Sequence, residues 1–203
     1  MKTAHVSGFS LIEVMVTLVL LSVGLLGVFG LQARTAGLEF DAHQRSQALS
    51  LAREMQATIR ASRAEAVNYA SDAVSSQTGD LYVGTTSSFD CSATATLAAE
   101  SLCAWGAALA GEREIAGVAA MGAMLGARGC LIRPPAPEVN ALADLYVVVV
   151  WQGIDEAAPL PTDALIHQCF NNAAAPATQR LAPELRRGVA LRVLIPRLAS
   201  SAS

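Results

Sequence analysis

Between Val14 and Leu31 the chain runs eighteen residues in which only Thr17 and Ser22 carry polar side chains. At about 1.5 Å per residue this is roughly 27 Å of helix, enough to cross the apolar part of a bilayer. The run follows a short polar leader, Met1 to Gly8, that carries Lys2 and His5. A secretory signal peptide is the plainest account of basic residues before an apolar core, and it places cleavage near Ala33 or Ala36. Two features count against it: the apolar stretch outlasts a usual signal core, and Glu13 sits at its leading edge. A carboxylate in hydrocarbon costs about 2.5–3.5 kcal/mol on insertion scales, so it needs either a solvated headgroup position or a partner.

Gly8-Phe9-Ser10-Leu11-Ile12-Glu13, after a short basic leader and before a long apolar helix, resembles the class III signal of type IV prepilins and pseudopilins. The resemblance implies that a membrane-embedded prepilin peptidase cuts between Gly8 and Phe9 and methylates the new amine of Phe9. It also implies that the apolar helix stays in the mature protein as anchor and assembly stem, with Glu13 the residue through which subunits register. Helical spacing sets the Phe9 amine and Glu13 on one side of the stem. Inside a fibre of packed apolar helices, the carboxylate meets the amine of an adjacent subunit, so that one pair offsets two desolvation penalties.

Past Leu31, Gln32 to Arg63 has no proline and is rich in good helix formers. Leu38, Ala42, Leu49, Ala52, Gln56 and Ile59 form a stripe with one polar interruption, and Arg45, Arg53, Glu54, Arg60 and Arg63 can take the opposite side. One continuous helix is expected from about Phe9 to about Ala64. Where many family members carry prolines, this chain has Gly24, Gly27 and Gly30, which suit either local unwinding or a close small-residue helix contact. The organisation read here is a leader at 1–8, a transmembrane and assembly half at 9–31, an amphipathic half at 32–64 and a globular head at 65–203.

The head opens with a loop-rich stretch, Asn68 to Cys91, in which Leu81-Tyr82-Val83 is the one apolar cluster. Ala93 to Ala110 reads as a short helix with Leu97, Trp105 and Leu109 on one face, and Ala116 to Leu125 is ambiguous between helix and loop. Strand signals follow at Gly129 to Arg133, Leu145 to Trp151, Leu165 to Phe170 and Gly188 to Ile195. Leu145 to Trp151 is almost wholly apolar, as expected of a strand covered on both faces. The fold class is therefore α+β: a long N-terminal helix packed on a small antiparallel sheet. Leu125 to Cys130, Trp151-Gln152-Gly153, Cys169 and Arg186-Arg187 look like the PilV-type minor pilins, the type IV pilus modification proteins.

That resemblance implies a structural subunit of pilus assembly or priming, and hence of pilus-dependent motility, adhesion or DNA uptake. The alternative is a minor pseudopilin of a type II secretion system. Partners implied are other major and minor pilins through the N-terminal helix, the prepilin peptidase, the inner-membrane assembly platform and, before assembly, membrane lipid. The implied location is the inner membrane with a periplasmic head, then the fibre at the cell surface.

Four cysteines in such a compartment allow three disulfide connectivities. Nearness in sequence favours Cys91 with Cys103, and Cys130 with Cys169 about the central strand region. A metal is not expected, because no C-x-x-C is present and His167 near Cys169 is a lone oddity. No cofactor or enzymatic activity is expected either: there is no G-x-S-x-G, H-E-x-x-H or glycine-rich phosphate loop, and Lys2 is the single lysine. His43 reads as a solvated helix side chain, and His167 as too weakly partnered, by Cys169 or Asp163, for a catalytic dyad. Thirteen arginines against 17 acidic residues remain after the leader, a net of -4, so no general nucleic-acid surface is expected. For Arg186-Arg187 a salt bridge to a neighbouring subunit is the plainer role.

Overall fold

Helix formers without proline carry α1 through Leu11–Ala61, 51 residues without a break. The computed structural model describes residues 8–70, 83–84, 90–92, 96–113, 115–116, 119–120, 124–134, 136–159, 161, 165–170 and 182–198. The leader residues 1–7, Leu81, Tyr82, Pro135, Asp163 and most of the loop-rich stretch before Cys91 lie outside them. The chain divides into two compact units, one ending at Phe40 and one beginning at Asp41. Among the described residues the first holds Gly8 to Ser10 and the leading part of α1. The second holds the last part of α1 together with the head, which is built around one strand.

That strand is β5, Ala141–Gln152, whose run Leu-Tyr-Val-Val-Val-Val-Trp favours extended backbone. It lies inside a four-stranded antiparallel sheet of order β1-β4-β5-β6, with β1 at Val83–Gly84, β4 at Arg128–Ile132 and β6 at Arg186–Pro196. Alternation sends Ala143, Leu145, Val147, Val149 and Trp151 into the larger core and Val148 and Val150 into a smaller one behind the sheet. A two-stranded ribbon, β2 at Ile115–Ala116 and β3 at Ala119–Ala120, lies within the stretch read as helix or loop.

The larger core is roofed by three helical segments. From α1 the buried residues are Gln44, Ala48, Ala52, Met55 and Ile59. This differs from the expected stripe: Leu38 and Ala42 are exposed, because the sheet selects the face whose two alanines let the backbones approach. Gln56, the polar interruption, donates its amide to the Arg192 carbonyl at 2.9 Å, and Arg63 donates to the Pro196 carbonyl. α2, Ala66–Tyr69, adds Ala66 and Tyr69, whose hydroxyl meets Ser101 Oγ. α3, Leu97–Leu109, starts at Thr96, whose side chain caps the Ala99 N–H. Its inner face is Ala98, Leu102, Trp105 and Leu109, while Leu97 is exposed, one position off the expected face. Trp105 donates to the Leu51 carbonyl at 3.0 Å and lies against Gly129, where a Cβ would come within 2.5 Å of its ring.

Behind the sheet, residues 165–170 form a helix, α4, and not the strand expected there. Ile166, Cys169 and Phe170 recur at helical spacing and seal the smaller core with Cys130 and Ile132. A six-residue run with four apolar positions does not distinguish the two states by itself. The Cys130–Cys169 bridge pins α4 to β4, so it joins a strand to a helix and not two strands. On the same side, Arg192 donates two hydrogen bonds to the buried Asp144 carboxylate, at 3.0 and 2.9 Å. The Glu138 N–H adds a third at 2.8 Å.

Two expectations follow. Replacing Cys130 and Cys169 together by Ala should destabilise the head by about 2–5 kcal/mol and release α4 to protease, while the apolar stem still inserts; limited proteolysis and denaturant melts measure this. The Arg192 hydrogen bonds, aided by the Glu138 N–H and opposed by burial, hold Asp144 below its ordinary pKa of 3.8. A depressed carboxylate stabilises the fold above its unfolded pKa, and that contribution is lost as pH falls through the folded value. Thermal melts at pH 7 and near pH 3 should therefore show a smaller acid loss for Asp144→Asn than for the native chain.

Candidate functional site

The conspicuous chemistry lies at the start of α1. The Ser10 carbonyl accepts from the Glu13 N–H at 3.0 Å and the Val14 N–H at 3.3 Å, so helical bonding begins there. Gly8, Phe9 and Ser10 precede the helix and are exposed; Phe9 is 85% accessible and no atom lies within 4 Å of a Cβ built on Gly8. A scissile bond here would be on non-helical, open backbone, the condition for proteolysis. Phe9 is outside the helix, so the expected one-sided placement of its amine and Glu13 by helical spacing does not hold. Ser10 and Glu13 instead stand at the S-x-x-E spacing of a capping box, a signal absent from the sequence reading above. Glu13 occupies the first turn, where the positive end of the helix dipole favours a carboxylate.

Beyond Glu13 the side chains of residues 14–32 are all exposed, among them Val14, Leu18, Leu25 and Phe29. The helix contains an 18-residue window of mean hydropathy 2.5 and is long and apolar enough to cross a membrane. Three of its hydroxyls bond back to the backbone: Thr17 donates to the Val14 carbonyl, Ser22 to Leu18 and Thr35 to Gln32. The helix runs unbroken through Gly24, Gly27 and Gly30, and the space beside each is open.

The other residues singled out by sequence are placed as follows. Cys91 is bonded to Cys103 on α3, and Cys130 to Cys169. His43 is exposed on α1 and His167 half-buried on α4. Arg186 and Arg187 do not precede the last strand but begin it. Arg186 stacks over the Phe170 ring at 5.3 Å, and burial holds its pKa below the ordinary value. Arg187 donates to the Asp155 carbonyl at 2.7 Å and the Glu184 carbonyl at 3.1 Å. Both arginines thus make contacts within this chain's own fold.

Among the described residues no group of three or more His, Cys, Asp or Glu is arranged to hold a metal. A cavity of about 310 Å³ beside α2 is lined by Val67, Pro137, Leu142, Arg133, Glu138 and Asp144. Among the described residues that line it there is no hydroxyl, thiol or imidazole, and its Asp144 is engaged by Arg192.

Residues 4–29 match the family described as the prokaryotic N-terminal methylation motif. No curated protein and no solved structure matches the chain. The motif coincides with the exposed Gly8–Phe9 bond, the first-turn carboxylate and the apolar helix, and it supports a type IV pilin- or pseudopilin-like protein. That motif class is structural, not enzymatic, and implies processing by prepilin peptidase and assembly with other pilins.

The open setting of Gly8 yields a test. A peptidase cleft shaped around glycine has little room for a branched side chain, so Gly8→Val should leave full-length precursor in the membrane, with Gly8→Ala processed in part. Immunoblots read the size, and N-terminal sequencing of the native mature chain should begin at methylated Phe9.

Proposed function

We propose that this chain is a minor type IV pilin. The observation that carries the reading is the conjunction of the methylation motif at residues 4–29 with one carboxylate, Glu13, in an otherwise uncharged stretch from Phe9 to Ala33. In this reading residues 1–8 are removed, Phe9 is methylated, and residues 9–31 hold the chain in the inner membrane with the head in the periplasm. Residues 32–64 are the amphipathic half of the stem and residues 65–203 the head. The subunit then joins the other pilins through its N-terminal helix at the assembly platform, priming or modifying the surface fibre. The two disulfides fit an oxidising periplasm.

The same leader, carboxylate and stem serve minor pseudopilins of type II secretion systems. The stretch from Leu125 to Trp151, with its likeness to PilV-type heads, favours the pilin. Imaging surface pili in a deletion strain separates the two.

Glu13 supplies the mechanism of assembly. In the membrane its carboxylate sits in the first turn near headgroup depth. In the fibre it faces the freed Phe9 amine of an adjacent subunit, and removing one member of such a buried pair costs about 3–5 kcal/mol. Glu13→Ala should therefore be processed and inserted yet absent from sheared fibres, with Glu13→Asp intermediate. Blots of membrane and sheared fractions read this directly, and equal incorporation of Glu13→Ala would leave Glu13 a merely solvated interfacial group.

A further inference from the structure

Four buried side-chain polar atoms among the described residues have no hydrogen-bond partner: Asp41 Oδ1, Gln44 Oε1, Gln44 Nε2 and Trp151 Nε1. Gln44 is 2% and Trp151 3% exposed, so solvent at the surface does not reach them. Buried donors and acceptors are almost always paired, and four bare atoms on three residues call for a shared cause.

Register brings the three together. Gln56 binds the carbonyl of Arg192, which pairs with Tyr146, and Arg63 binds that of Pro196, which pairs with Ala141. α1 therefore runs opposite to β5. From Gln56 back to Gln44 is about 18 Å of helix, and from Tyr146 on to Trp151 about 17 Å of strand. By this spacing Gln44 falls at the level of Trp151. Trp151 shares the larger core with Ala48, one turn along from Gln44, and Asp41 is one turn before Gln44.

The bare atoms form a complementary set: an indole N–H donor, an amide with both donors and an acceptor, and a carboxylate oxygen acceptor. Water, with two donors and two acceptors, satisfies such a set where the groups do not reach one another. We propose that Asp41, Gln44 and Trp151 enclose an internal hydration site in the seam between α1 and the sheet, with ordered water bridging the indole N–H to the Gln44 amide and the Asp41 carboxylate. Trp105 provides the contrast on the same side of the sheet: its indole donates straight to the Leu51 carbonyl and needs no bridge. The head thus grips α1 through a wet contact at Asp41 and Gln44 and a dry one from Ala48 to Ile59.

The chain has only two tryptophans, so its indole N–H signals resolve as a pair, one of them an internal control. In the full chain in detergent micelles, water-selective cross-relaxation should mark the Trp151 indole and not that of Trp105. No transfer at Trp151 overturns the site. Thermal melts give an independent sign. Gln44→Leu and Trp151→Phe should each lower Tm by about 2–6 °C, with the double variant losing less than the two combined. An unchanged or raised Tm for Gln44→Leu means that the amide was bare, and the proposal fails.

Discussion

The head depends on the burial of β5 from both sides. A strand of consecutive valines places apolar groups alternately above and below the sheet, and neither set is satisfied unless both faces are covered. One face takes the long helix with α2 and α3; the other takes α4. Each burial demands a local concession elsewhere. Alanines at 48 and 52 let α1 approach, glycine at 129 makes room for the Trp105 ring, and Gly188 leaves space for Ile166. The small residues are therefore the negative image of the large ones they face.

The stem obeys the opposite constraint. Among its described residues the first unit has no buried core, and its large apolar side chains are exposed. What organises it is the start of the helix, where an exposed glycine, a serine whose carbonyl takes the first helical bonds and a first-turn carboxylate stand in that order. The backbone is closed by its own hydrogen bonds and the hydroxyls bond back to it, which leaves the Glu13 carboxylate as the one charged side chain from Phe9 to Ala33. Lipid and like helices are the surroundings that suit such a surface.

Much of this was legible in the sequence, because strong periodicities and long runs constrain tightly. The long helix, the mid-sheet position of the Val-rich strand and the α+β class all follow from the pattern. Short elements were another matter. Leu165 to Phe170 is apolar at four of its six positions, and the helical spacing of Ile166, Cys169 and Phe170 tells only once the smaller core they pack against is known. The stripe on α1 was misread at Leu38 and Ala42 because the partner surface, not residue size, decides which face is buried. At the N-terminus the cleavage motif was visible, but the helix boundary at Leu11 was not. Ser10 carried that information through its spacing from Glu13. The roles of Arg186 and Arg187 depend in part on the Phe170 ring and the Asp155 carbonyl, remote in sequence, which no local pattern encodes.

The two disulfides differ in a way that reaches beyond stability. Cys130 and Cys169 are 1% and 0% exposed, whereas Cys91 is open to solvent and Cys103 only half-covered. A small reductant reaches the second bridge in the folded head, but must wait for α4 to lift before it reaches the first. The outer bridge then doubles as an addressable handle: gentle reduction exposes two thiols at 91 and 103 for attaching a dye or a spin label, while the clamp behind the sheet stays shut.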